Sequence, residues 1–152
     1  MISRAQTLPP FIRQILLIVF FALLASGCSK TSDEEQIAET IAAMQDAVEN
    51  KSFARIRVHL HDSFIANDRM SARDVKHLLQ IYSMQHREIG ATILSSKTTM
   101  DATYADRAES VLSVIVTGSS GGLPSDGSAR TVRLEWIKES GDWLVRKADW
   151  QY

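Results

Sequence analysis

The apolar residues of this chain change their spacing once, at His86, and that change restricts the fold more than any other feature. From Ile37 to Tyr82 they recur every three or four residues, and from Ile89 to Trp150 they alternate. The first spacing lines one face of a helix, the second one face of a strand. Helices are therefore expected first and strands after them.

The element boundaries follow from local chemistry. Ser32-Asp33-Glu34-Glu35 has the spacing of a capping box, and Ile37, Ile41, Met44 and Val48 then make one stripe along a helix ending near Asn50. Ser52 can cap a second, shorter helix in which Phe53, Ile56 and Leu60 share a face, followed by the short apolar piece Phe64-Ile65. Asn67-Asp68 reads as a turn, and Ser71-Ala72-Arg73-Asp74 opens a third helix with the stripe Val75, Leu78, Leu79 and Tyr82. Four strands follow. Ile89, Ala91 and Ile93 lie on the first, which runs to about Thr99. The second spans about Tyr104 to Thr117, with Leu112, Val114 and Val116 on one face. Val132, Leu134 and Trp136 mark the third, and Trp143 to Trp150 the last, after a turn at Ser140-Gly141-Asp142. Residues 118–127 are rich in Gly and Ser and make a connection. The strands are strongly apolar on one face only. The expected class is thus α+β, with three N-terminal helices covering one face of an antiparallel sheet.

This order of elements, closing on Gly141-Asp142-Trp143-Leu144-Val145, resembles the nuclear transport factor two-like superfamily with its SnoaL-like branches, over nearly all of residues 33–152. The resemblance implies a strongly curved sheet wrapping the helices into a cone with a pocket at its wide end. Members include isomerases, dehydratases and hydrolases, and also non-catalytic binding or dimerisation modules.

Ahead of that domain, Arg4 and Arg13 precede an uninterrupted apolar run from Ile15 to Ala25, and the small residues Ser26 and Gly27 lead to Cys28. This is the pattern of a cleaved signal peptide. The run of 11 residues is short of the roughly 20 that cross a bilayer. Leu24-Ala25-Ser26-Gly27-Cys28 resembles the lipobox of bacterial lipoproteins, with Ala25 where leucine is commoner. The resemblance implies diacylglyceryl transfer to Cys28 and cleavage before it, which also accounts for the single cysteine of an exported chain. Residues 1–27 are then the signal peptide, 28–32 the lipidated cysteine and a short tether, and 33–152 the domain. Ser29 after the cysteine implies sorting to the periplasmic side of the outer membrane in a Gram-negative cell.

The segment to be removed carries two positive charges and none of the 18 acidic residues, so the net charge of −1 becomes −3 beyond Cys28. Lys51, Arg55, Arg57, Arg69, Arg73 and Lys76 are interleaved with acids, which argues against nucleic acid as a partner. A domain of this size needs no metal or disulfide to hold its core, and no cofactor is expected.

Few residues carry candidate chemistry. His59-Leu60-His61-Asp62 holds metal-ligand types, but at a helix end residues two apart do not face each other, so a helix C-terminus suits the histidines better and no metal is expected. His86-Arg87 and Asp106-Arg107 could supply an acid or base within a cone, but they match no catalytic pattern and solvent-facing charge at strand ends explains them adequately, the preferred reading. There is no G-x-S-x-G elbow and no phosphate-cradling loop, so no catalytic residue is assigned. Tyr82, His86, Tyr104, Trp136 and Trp143 are the residues expected to border a pocket, since aromatic side chains combine large area with a polar tip. The expected function is a membrane-anchored envelope lipoprotein whose non-enzymatic domain binds an envelope protein or a small apolar ligand. A small-pocket acid–base enzyme and a homodimeric structural module are the alternatives.

Overall fold

The computed structural model describes residues 31–119 and 128–150. The expected signal peptide, residues 1–27, the expected lipidation site Cys28 and most of the Gly/Ser connection lie outside the described residues. Ser32–Tyr152 form one compact unit, and among the described residues no helix is long and apolar enough to cross a membrane.

Helix α1 spans Asp33–Glu49; the Ser32 hydroxyl accepts the Glu35 N–H, and three acids in the first turn suit the helix dipole. Ile37 and Ile41 are buried, and Met44 and Val48 pack against the same core, as the stripe requires. Helix α2 is only Phe53–Arg57. The sequence suggested a helix reaching Leu60, with the histidines at its end. Instead Leu60–Ala66 is strand β1, with Leu60, Phe64 and Ala66 buried. A five-residue helix has little cooperative stability, whereas residues 59–66 find a ready partner in the edge of the last strand. The Val145 N–H donates to the His59 carbonyl at 2.9 Å.

Asn67 and Asp68, both at positive φ, turn the chain into the two-residue strand β2, Met70–Ser71. Helix α3, Ala72–Gln85, starts with a full capping box between Ser71 and Asp74. Its inward residues are Ala72, Val75 and Leu79. Leu78, expected on that stripe, is 41 % exposed, and no residue of α3 is fully buried.

Strands β3 (Glu88–Met100), β4 (Arg107–Ser119), β5 (Ser128–Glu139) and β6 (Asp142–Trp150) form the expected antiparallel meander. Among the described residues the sheet has six strands in the order β2-β1-β6-β5-β4-β3. Two corrections follow. The sheet is mixed, because β1 pairs with β6 in parallel, and the helices are not all N-terminal, because α3 follows β1 and β2. Both have one cause: α3 is the crossover that carries the chain from one edge of the sheet to β3 at the other. Bulges at Leu94 and at the Glu135–Trp136 step add curvature. The helices fill the concave face, where Trp136, Ile37, Val145 and Ser110 are the largest fully buried side chains.

Candidate functional site

Because α3 stands off the core, a cavity of about 510 Å³ opens between it, the end of α1, α2 and the start of β3. Its walls are largely apolar: Val48, Phe53, Ile56, Leu79, Ile81, Met84 and Ile89. His77, Gln80, Ser83 and Lys51 complete the lining. Lys51 sits at φ 54° in the turn after α1, which sends its ammonium across to the C-terminus of α3. There it donates to the carbonyls of His86 at 2.8 Å, Arg87 at 2.9 Å and Ser83 at 3.4 Å. Its three donors are thus engaged, and the cation complements the negative end of the helix dipole.

The five pocket residues expected from the sequence do not form one site. Tyr82 and His86 do meet, with ring centroids 4.1 Å apart. The His86 ring lies across Gly118 so closely that a Cβ there would be 2.4 Å from Nδ1, a contact only glycine permits. That Nδ1 is buried without a hydrogen-bond partner. Trp136 and Trp143 are core residues. The Trp136 indole N–H donates to Ser110 Oγ at 2.9 Å, and Ser110 Oγ lies 2.8 Å from Thr98 Oγ1. Trp143 donates to Asp33 at 3.2 Å, beside the Lys138–Asp33 ion pair. Tyr104 is outside both groups. It is exposed in the turn between β3 and β4, with the Arg107 guanidinium 4.5 Å from its ring centroid, because β4 begins at Arg107 instead of Tyr104.

Asp106 lies in the same exposed turn, where its carbonyl accepts the Lys138 N–H at 2.8 Å. Alternation from the buried Ala108, Ser110 and Leu112 identifies the concave face of the sheet. Register then adds Ile89, Ala91 and Ile93 of β3 and Arg130, Val132 and Leu134 of β5. Every Asp and Glu of β3 to β6 falls on the opposite face. On β3 to β6 the concave face therefore has no carboxylate of its own to pair with His86.

The two histidines of the earlier cluster diverge. Burial lowers the pKa of His59 from 6.5, and its side chain borders a cleft of about 360 Å³ with Glu39, Thr40 and Asp142. His61 Nδ1 accepts the Ser63 N–H at 3.1 Å, and its Nε2 is 3.6 Å from Glu139. Among the described residues no three His, Cys, Asp or Glu side chains are grouped to hold a metal ion.

Sequence reasoning missed the cavity walls. Ile81 and Met84, three residues apart and off the main stripe of α3, were the available signal. An apolar second face on a helix marks a second surface to cover.

No family model and no curated protein sequence matches the chain. Solved structures do. A candidate scytalone dehydratase from Novosphingobium aromaticivorans matches with a TM-score of 0.68 at 9 % identity, covering 78 % of this chain and 83 % of its own. A nuclear transport factor two-like protein from Cytophaga hutchinsonii matches with a TM-score of 0.64 at 12 % identity, covering 79 % and 98 %. Bd1075 of Bdellovibrio bacteriovorus matches with a TM-score of 0.64 at 8 % identity over 76 % of this chain, which spans only 40 % of that larger protein. The fold is nuclear transport factor two-like.

Proposed function

We propose that the chain is a lipoprotein anchored through Cys28 in the bacterial envelope, at the periplasmic face of the outer membrane, whose domain binds a small apolar ligand without catalysing a reaction. The observation that carries the binding reading is the composition of the 510 Å³ cavity: seven apolar side chains line it, and its ammonium is already spent on three carbonyls. Pockets of this size and lining suit small ligands held mainly by apolar contact. The lipobox-like segment ending in Cys28 supports the anchor.

A second reading, an acid–base enzyme, is favoured by one observation, the unpartnered buried Nδ1 of His86 beside Tyr82. Its weakness is the absence of a carboxylate on the concave face of β3 to β6. A structural dimer formed through the convex face has less support, since that face carries the ion pairs Glu109–Arg133 and Glu135–Arg146.

Complementation of a deletion strain separates the readings. Ile81→Asp, at a position 38 % exposed, puts a charge in the cavity without touching the core. It should abolish function at normal abundance and weaken binding of a neutral naphthylamine probe at least about tenfold, since an unpaired charge beside apolar contacts costs more than 1.4 kcal/mol. His86→Gln should remain active. An active Ile81→Asp protein together with an inactive, folded His86→Gln protein would reverse the assignment.

A further inference from the structure

Helix α3 has a second role to account for, because its outward face is neither polar throughout nor charge-balanced. Leu78 is 41 % exposed, and Ile81 at 38 % and Met84 at 80 % form the rim of the cavity, lining it while still reaching the outer surface. From Arg69 to Arg87 the chain carries four basic residues, and its one acid, Asp74, is held in the capping box by Ser71. At 100° per residue, Arg73, His77, Ile81 and Met84 fall within an arc of about 80°, with Lys76 and Leu78 on its two flanks. Elsewhere among the described residues most basic side chains are matched, Arg55 with Asp46, Arg57 with Asp62, Arg133 with Glu109, Lys138 with Asp33, Arg146 with Glu135 and Lys147 with Asp68, and the unmatched Lys97 and Arg107 stand apart on the sheet. Among the described residues Arg73, Lys76 and Arg87 have no ion-pair partner, and Lys76 instead lies 5.9 Å from the Phe53 ring centroid. A solvated surface helix gains nothing from three exposed large apolar side chains set among unmatched cations. A helix lying on an anionic apolar interface gains from both.

We infer that the outer face of α3 docks on the surface of a bilayer containing anionic phospholipid. The inference rests on the lipid anchor proposed above and adds an orientation to it. Charge complementarity is the first argument. The second is the tether. Ser29 to Ser32, four residues between the lipidated cysteine and Asp33 of α1, reach about 14 Å when fully extended. The start of the domain is thereby kept near the headgroups. Third, α1 and α3 pack into one core on the same concave face of the sheet, so a plane touching the helical layer can meet α3 while the start of α1 stays within reach of the anchor. The basic side chains supply the attraction to phosphate, and Leu78, Ile81 and Met84 supply the apolar contact.

The test uses the processed lipoprotein, purified in detergent and reconstituted in vesicles. Its one native cysteine carries the lipid, so Leu78→Cys, Met84→Cys and the control Lys97→Cys on β3 can each be labelled with an environment-sensitive fluorophore. Vesicles of phosphatidylcholine alone are compared with vesicles containing phosphatidylglycerol. Emission should shift to the blue at positions 78 and 84 on the anionic vesicles only, and not at position 97. The shift should reverse between 0.1 M and 1 M salt, where the Debye length falls from about 10 Å to about 3 Å. The docked-to-undocked ratio should fall about fivefold for each of Arg73→Gln, Lys76→Gln and Arg87→Gln, the last of which lies beyond the helix and leaves its folding unaffected. Equal shifts on both vesicle types would overturn the anionic specificity. No shift, in protein that floats with the vesicles and has the mass of a diacylated chain, would overturn docking and leave the anchor standing. A shift at position 84 alone, which borders the cavity, would report the cavity and count against docking. Protein without an acyl group would remove the anchor and the inference together.

Discussion

Ser110 shows how one small residue sets the order of the core. It is fully buried, and its hydroxyl stands between the Trp136 indole N–H at 2.9 Å and Thr98 Oγ1 at 2.8 Å. The indole can only donate, so Ser110 accepts from it and its own hydrogen is directed to Thr98. Ser110→Ala leaves a buried N–H without an acceptor and should cost about 1–3 kcal/mol, read as a lower urea midpoint at unchanged m-value. A change below about 0.5 kcal/mol would mean that the indole finds another acceptor. His86 is the opposite case. Its Nδ1 is buried and unpartnered, and the strand beneath it must be glycine at 118 to make room. Neither relationship could be read from residue types, since a serine facing a tryptophan across two strands and a histidine over a glycine 32 positions later are products of register.

At the scale of elements, the helices differ in how they are held. α1 buries Ile37 and Ile41 and also closes the edge of β3. Gln45 Nε2 donates to the Ala91 carbonyl at 2.6 Å, and the Ala91 N–H donates to Glu49 at 3.2 Å. An otherwise open edge is thereby partly satisfied. α3 has no fully buried residue and is fastened at its ends, by the Ser71–Asp74 box and by Lys51. Lys51→Met keeps the aliphatic stem and removes the charge. It should cost about 0.3–1 kcal/mol, concentrated as faster amide hydrogen exchange from Leu79 to His86 with the rates in β4 and β5 unchanged. Uniformly faster exchange across the sheet would show that α3 opens only with the whole domain. The caps of α1 and α3 and the turns at Asn67-Asp68 and Ser140-Gly141 were legible because each is written within a few adjacent residues. β1 was not, because a strand that joins the sheet in parallel draws its stability from a partner about 85 residues away.

For the whole molecule, the proposed anchor makes the sharpest claim. Two acyl chains suffice for stable attachment, at about 0.8 kcal/mol per buried methylene, while one chain holds only marginally. Cys28→Ser removes the acyl acceptor, so the expected outcome is loss of lipid labelling and accumulation of uncleaved precursor. A processed, unlabelled Cys28→Ser protein that stayed with the membrane would overturn the anchor. Among the described residues, every buried residue of the hydrophobic core lies between Ile37 and Ala148, so the packing that shapes the cavity is built wholly within the domain.

Local chemistry in the chain was enough to determine α1, the start of α3, the four-stranded meander and the α+β class, because periodicity and capping act over one turn of helix or one hairpin. Tertiary structure alone decided the rest. It turned residues 60–66 from the end of a helix into a strand, made the sheet mixed, placed Trp136 and Trp143 in the core and left Tyr104 in a turn. It also opened a cavity behind Ile81 and Met84. The physical reason is the same throughout: a side chain's surroundings depend on which distant strands share its register and on how far a covering helix can settle, and neither quantity is encoded in the spacing of neighbouring residues.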